Sequence, residues 1–283
     1  MGRDLLDRLL VGVSVNGAAQ NLIYAWDFDP SIVIGCIALL AAYAVAHRGD
    51  FAHAGWFVAG VVAMFLALVS PLDPLSDTYL FSAHMLQHLI LVLIVPPLLL
   101  LGLSPRFVRA VLRVPALARI ERMLGNAVVA WTIGMAMLWL WHAPYLYNAT
   151  LADEGVHIFE HVCFLVSATI FWWPILAPVE EVRLAPMPAI IYLVTGALTN
   201  SILAILLTFA RPGLYPAYLS PDDPLKILPM IRDSWGLTPA LDQQLGGLLM
   251  WVPGGMVFLG AIVWVIARWY STPEATVRVA PAN

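Results

Sequence analysis

Five histidines carry the pattern with the most chemistry in it. His84 and His88 stand in H-M-L-Q-H, His157 and His161 in H-I-F-E-H, and His142 in W-L-W-H-A-P. Residues four apart share one face of a helix, so each pair aims two imidazoles in one direction. Neutral imidazole ligates copper, zinc and iron, and two such helices together with His142 can surround one small space. The spacing therefore favours a metal site over a hydrogen-bonded histidine network. Haem is the nearest competitor. The members of an i, i+4 pair are only about 6 Å apart along the axis, at ~1.5 Å per residue. That favours compact coordination over two haems and leaves open a single haem held by one histidine from each helix.

Glu160 lies inside the second pair. H-x-x-E-H is also the inverted zinc-protease pattern, in which the glutamate is the general base for a metal-bound water. A carboxylate that orients a ligand histidine accounts for Glu160 equally well. Asp73 and Asp242 are candidates for ligands, entry-path carboxylates or helix N-terminal charges, with the helix-end role favoured for Asp242. Met85 and Met250 offer thioether sulfur, which suits Cu(I), although methionine in an apolar helix is more often packing. His47 and His53 fall in a loop and read as solvated.

The elements that must position these groups are membrane helices. Of 283 residues, 61% are hydrophobic and 11% charged, and the mean hydropathy is +0.84; a soluble domain carries roughly 25% charged residues. Fourteen Lys and Arg against eighteen Asp and Glu leave no basic excess for nucleic acid. The expected fold is an all-α, polytopic membrane bundle of seven transmembrane helices, each needing about 20 mostly apolar residues. The spans run roughly over 31–47, 55–70, 78–101, 125–143, 156–176, 187–210 and 243–269. Pro96, Pro97 and Pro253 fall inside spans, where kinks are expected.

Charge sets the orientation. The loop after the third span holds Arg106, Arg109, Arg113, Arg119 and Arg122, and Arg48, Arg183, Arg268 and Arg278 belong to the same side. That side is assigned to the cytoplasm. Asp27, Asp29, Asp73, Asp77, Asp153, Asp222, Asp223, Asp233 and Asp242 belong to the other, placing the N-terminus and all five histidines toward the periplasm and the C-terminus in the cytoplasm. The expected organisation is an interfacial segment over 1–28, whose Leu5, Leu6, Leu9, Leu10 and Val13 form one apolar face, a transmembrane domain over 29–270 and a cytoplasmic tail over 271–283. Tyr215, Tyr218 and Trp235, in a long outer loop with six prolines, read as interface anchors, and Trp139, Trp141, Tyr145 and Tyr147 as an aromatic belt. Thr199, Asn200 and Ser201 read as polar glue between helices. Cys36 and Cys163 lie in apolar runs and read as free thiols.

Taken together, HMLQH (84–88), WHAPYLY (141–147), HIFEH (157–161), FWWP (171–174), LTNS (198–201), DQQLGG (242–247) and MWVP (250–253) make the chain resemble the CtaG family of multi-span bacterial cytochrome c oxidase assembly factors. The resemblance implies a bacterial inner-membrane protein, in contact with lipid and with cytochrome c oxidase subunits, that assists copper insertion into the oxidase without being an enzyme itself. Copper and the oxidase come from the resemblance; the residues alone give a metal-capable site, for which zinc, iron or haem stay open. Two other readings stand beside it: an intramembrane metal hydrolase or oxidase with Glu160 as base, and a structural or haem-binding subunit of a larger membrane complex.

Overall fold

A computed structural model describes residues 16–47 and 49–271. The apolar face at 5–13, Arg48 and the tail with Arg278 lie outside the described residues. Helices form almost everywhere that apolar runs are bounded by proline or by a capping oxygen. They are α1 (Pro30–Ala46) and α2 (Ala54–Val69), the short α3 (Leu72–Tyr79) and α4 (Phe81–Gly102), and α5 (Pro105–Leu112) and α6 (Pro115–Leu124). After these come α7 (Ala127–Trp141), α8 (Pro144–Ala152), α9 (Glu154–Leu176), α10 (Pro186–Phe209) and α11 (Pro239–Ser271). Proline opens α1, α5, α6, α8 and α10, the helix position where its missing N–H costs nothing.

Four of these, α4, α9, α10 and α11, are long and apolar enough to cross a membrane. The count rises to six if two bent pairs each make one span: α2 with α3, bent by 51°, and α6 with α7, bent by 65°. Helix α1 is apolar but shorter, at 17 residues. The expected span over 125–143 is thus realised as a 15-residue helix, which at ~1.5 Å per residue is short of a ~30 Å hydrocarbon core. Its entry helix α6 carries Arg119 and Arg122 and turns away.

The bundle contains an aromatic core in which Phe171, Trp172, Tyr192 and Phe258 pack together. In α4 the turn before Pro96–Pro97 is π-helical over Ile90–Ile94, and the Trp172 indole donates to the Val92 carbonyl at 3.0 Å. Helix α11 continues through Pro253. In the turn before it the Asn200 amide donates to the Met250 carbonyl at 2.9 Å, which ties α10 to α11. Cys36 is buried, Cys163 half-buried, and both are free thiols. The helical residues 16–23 dock on the long loop after α10, with Ala18 buried beside Tyr79 and Ile227 and the Asn21 amide donating to the Leu225 carbonyl at 2.9 Å.

Candidate metal centre

Helices α4 and α9 begin at the same end of the bundle, and each carries its histidine pair in its first turns. Both starts are pinned. Asp153 caps α9 by accepting from the Val156 N–H at 2.9 Å. Helix α4 is capped from another helix: Asp242 of α11 accepts from the N–H groups of Phe81 (2.8 Å) and Ser82 (3.0 Å) and from the Ser82 hydroxyl (2.5 Å). Close approach of α11 to α4 requires glycine at 246, where a Cβ would collide with the Phe81 ring. His142 ends α7 as its C-cap, so three helix termini converge.

One donor atom each from His84, His88, His157 and Glu160 falls within 4.8 Å of all the others. Glu160 Oε2 lies 3.9 Å from His84 Nε2 and 3.8 Å from His88 Nε2, too far for hydrogen bonds. These separations are close to the ~3.4 Å edge of a tetrahedron of ligands ~2.1 Å from a central ion. The His161 ring lies 4.2 Å from that of His157 and 5.5 Å from that of His88, and the His142 ring 6.3 Å from that of His88. His84 and Glu160 are wholly buried.

Neighbouring groups fix which nitrogen is free in three of the imidazoles. The Tyr218 hydroxyl donates its single proton to the Ser76 carbonyl at 2.8 Å, and burial raises its pKa well above the ordinary phenol value, so that proton stays. Its oxygen can then only accept from His84 Nδ1, 3.3 Å away. His84 Nδ1 thus carries the hydrogen and Nε2 the lone pair. In His157, Nδ1 faces Asp77 Oδ2 at 3.5 Å, the carboxylate–histidine arrangement that orients metal-ligating imidazoles, and again Nε2 is left free. His142 Nδ1 donates to the Leu138 carbonyl at 2.6 Å, with the same result.

The free atoms are also the unsatisfied ones. His84 Nε2, both nitrogens of His88, Nε2 of His157 and His161, and both oxygens of Glu160 are buried without a hydrogen-bond partner. Each buried polar atom left unpaired costs about 1–3 kcal/mol, and native interiors rarely leave more than a few. Seven in one place fit a centre that a cation or bound water completes. Neutral nitrogen donors with one carboxylate suit zinc, copper or iron.

The remaining candidates are distributed around this group. Met85 packs against His142, with Sδ 3.4 Å from Nε2. Met250 is buried in the same apolar cluster as Met85. Asp73 accepts from the Gln87 amide at 2.9 Å and touches no histidine through a hydrogen bond, while Asp242 serves as the α4 cap. Asp77, Ser76, Gln87, Tyr147 and Tyr218 surround the group and carry no site role in the sequence reading. Tyr147 and Tyr218, belt and interface residues by sequence, are instead buried, with their hydroxyls 3.1 Å apart. Tyr215 is buried as well and donates to the His142 carbonyl at 2.8 Å. His47, read as solvated, is 3% exposed. Its Nδ1 meets the Tyr43 carbonyl at 3.2 Å and its Nε2 accepts from the Ser104 N–H at 3.2 Å. The loop it occupies is folded under Phe107 and stacked on Tyr43.

Fold and site together define a polytopic helical membrane protein with a buried histidine–carboxylate group at one end of its bundle. The sequence pattern of the cytochrome c oxidase caa3 assembly factor family (Caa3_CtaG) matches residues 38–272, and the chain belongs to that family. It is also similar to two curated proteins described as uncharacterized, one of Mycobacterium bovis and one of Mycobacterium tuberculosis. Each is 22% identical over 272 residues, covering 88% of this chain. The chain spans about 40% of the length of these relatives. No solved structure matches it.

Proposed function

We propose that the protein assists assembly of cytochrome c oxidase by holding copper at the histidine group and releasing it to an oxidase subunit. The observation that carries this reading is the set of buried, partnerless donor atoms on His84, His88, His157, His161 and Glu160 in a chain of the oxidase assembly-factor family. Copper is the cargo. The chain's residues hold neutral imidazoles with Nε2 free, exclude water from around them, and supply one carboxylate. A binder that must also release its ion gains from this mixture, because an incoming subunit can replace one imidazole at a time.

The topology that serves this role has seven crossings, counting α1, both bent pairs and the four long helices, in a bacterial inner membrane. The aspartate-rich side and the histidine group then face the periplasm, and the arginine-rich α5 and α6 lie at the cytoplasmic surface. Complementation of a host strain lacking the protein tests the reading. Wild type is expected to restore copper content and activity of the purified oxidase, and His84→Ala/His157→Ala is expected to restore neither. Full oxidase copper with that double variant would refute it. Glu160 separates this reading from a metal hydrolase, since Glu160→Gln in a hydrolase keeps its metal and loses turnover, whereas here it weakens metal binding.

A further inference from the structure

Next to the four-residue group lies a second set of donors that the group does not use. The only N–H of the neutral His142 ring is committed to the Leu138 carbonyl, so the Nε2 atom 3.4 Å from Met85 Sδ has a lone pair and no proton. A thioether sulfur has no proton either. The contact is therefore no hydrogen bond: two lone-pair donors face each other, His142 being 4% exposed and Met85 fully buried. An ion about 2.0 Å from nitrogen and about 2.3 Å from sulfur would span such a pair at close to the tetrahedral angle.

The pair lines a cavity of about 40 Å³ together with Met250, Met135 and His88. A single water needs only about 10–15 Å³, so the space takes an ion without repacking. Its donors differ in kind from those of the outer group. There the set is imidazole nitrogen with carboxylate oxygen; here it is imidazole nitrogen with thioether sulfur, which selects soft Cu(I) over zinc or harder ions.

We propose that His142, Met85 and Met250 form a second, inner site for a soft monovalent cation of the Cu(I) class. His88 connects the two sites. Its Nε2 lies 3.8 Å from Glu160 of the outer group, its ring lines the inner cavity, and both its nitrogens are without partners. An ion passes between the sites by exchange of ligands through His88, with no change of oxidation state. The inner site stands on its own donors; only the passage between sites rests on the copper-delivery reading.

The test uses the full chain, purified in detergent and stripped of metal. It is titrated without oxygen with Cu(I) against a chromophoric chelator, and separately with Co(II), whose visible band reports the outer group. Met85→Leu conserves volume and packing. It is expected to weaken Cu(I) binding at least tenfold and to reduce copper–sulfur scattering in the X-ray absorption spectrum, with Co(II) binding unchanged. His157→Ala/Glu160→Gln is expected to do the reverse, losing Co(II) and keeping one Cu(I) with its sulfur scattering. Unchanged Cu(I) affinity and sulfur scattering in Met85→Leu would overturn the inner site. Absence of Co(II) binding in the wild type would overturn only the outer group. If Met85→Leu fails to fold, the wild-type chain labelled with selenomethionine decides: copper–selenium scattering supports the inner site, and copper with nitrogen and oxygen neighbours alone refutes it.

Discussion

Two histidine environments in this chain both keep ring nitrogens away from water and are opposite in character. At one end, His47 has both nitrogens engaged by backbone, accepting from Ser104 N–H and meeting the Tyr43 carbonyl, while its ring stacks on Tyr43 at 4.1 Å. At the other end, His84, His88, His157 and His161 hold five buried nitrogens with no partner, around a carboxylate in the same condition. Burial alone therefore says nothing about function here. Hydrogen-bond accounting does: His47 closes a loop against the start of α5, whereas His84 and His157 are each held through Nδ1 and their Nε2 atoms are left open. Those positioning contacts, Tyr218 on His84 and Asp77 on His157, would be wasted on a network meant only for packing.

The sharpest way to break this contrast is to remove one ligand. His84→Ala is expected to lower metal affinity by more than the ~100-fold that a change beside a ligand costs, measured by competition with a chelator of known affinity. Next is Asp77→Asn, which keeps volume and weakens the grip on His157. The expected loss is about ten- to a hundredfold in metal affinity, with thermal stability little altered. His47→Ala should do the opposite. It orphans the Ser104 N–H beside a tightly packed loop, costs about 1–3 kcal/mol of stability in a detergent-based unfolding assay, and leaves metal affinity as in wild type. The smallest effect belongs to the exposed ion pair of Arg109 and Glu181, 3.3 Å apart at the surface. Glu181→Gln is expected to leave both unfolding midpoint and metal affinity unchanged, since such pairs contribute little in water.

What could be read from the sequence follows the range of the interactions involved. His84 with His88 and His157 with His161 are neighbours through helix geometry alone, so four residues of spacing sufficed to pair them, and α4 and α9 appear close to the expected limits. Membrane character was equally plain in the composition. The groups that tune the histidines were hidden, because they arrive from far along the chain: Tyr218 lies 134 residues from His84, and Asp77 sits in a short helix bent back from α2. Tyr147, Tyr215 and Tyr218 read as membrane-interface anchors because an aromatic ring with a polar tip suits headgroups and a buried polar site equally well. Asp242 stands in the first turn of α11, and its carboxylate caps the start of α4, a contact no local pattern contains. Short helices such as α3 and α8 escaped as well, and so did the 65° bend between α6 and α7, since a run of apolar residues shows where a helix is stable and not where the chain bends.

The measurement that tests the central claim most directly is metal content per chain, by mass spectrometry, for three preparations loaded with copper under identical conditions: wild type, His47→Ala and His84→Ala/His157→Ala. The account predicts equal occupancy in the first two and loss of the outer-site ion in the third. Equal occupancy in all three, or a loss in His47→Ala matching that of the double variant, would contradict it.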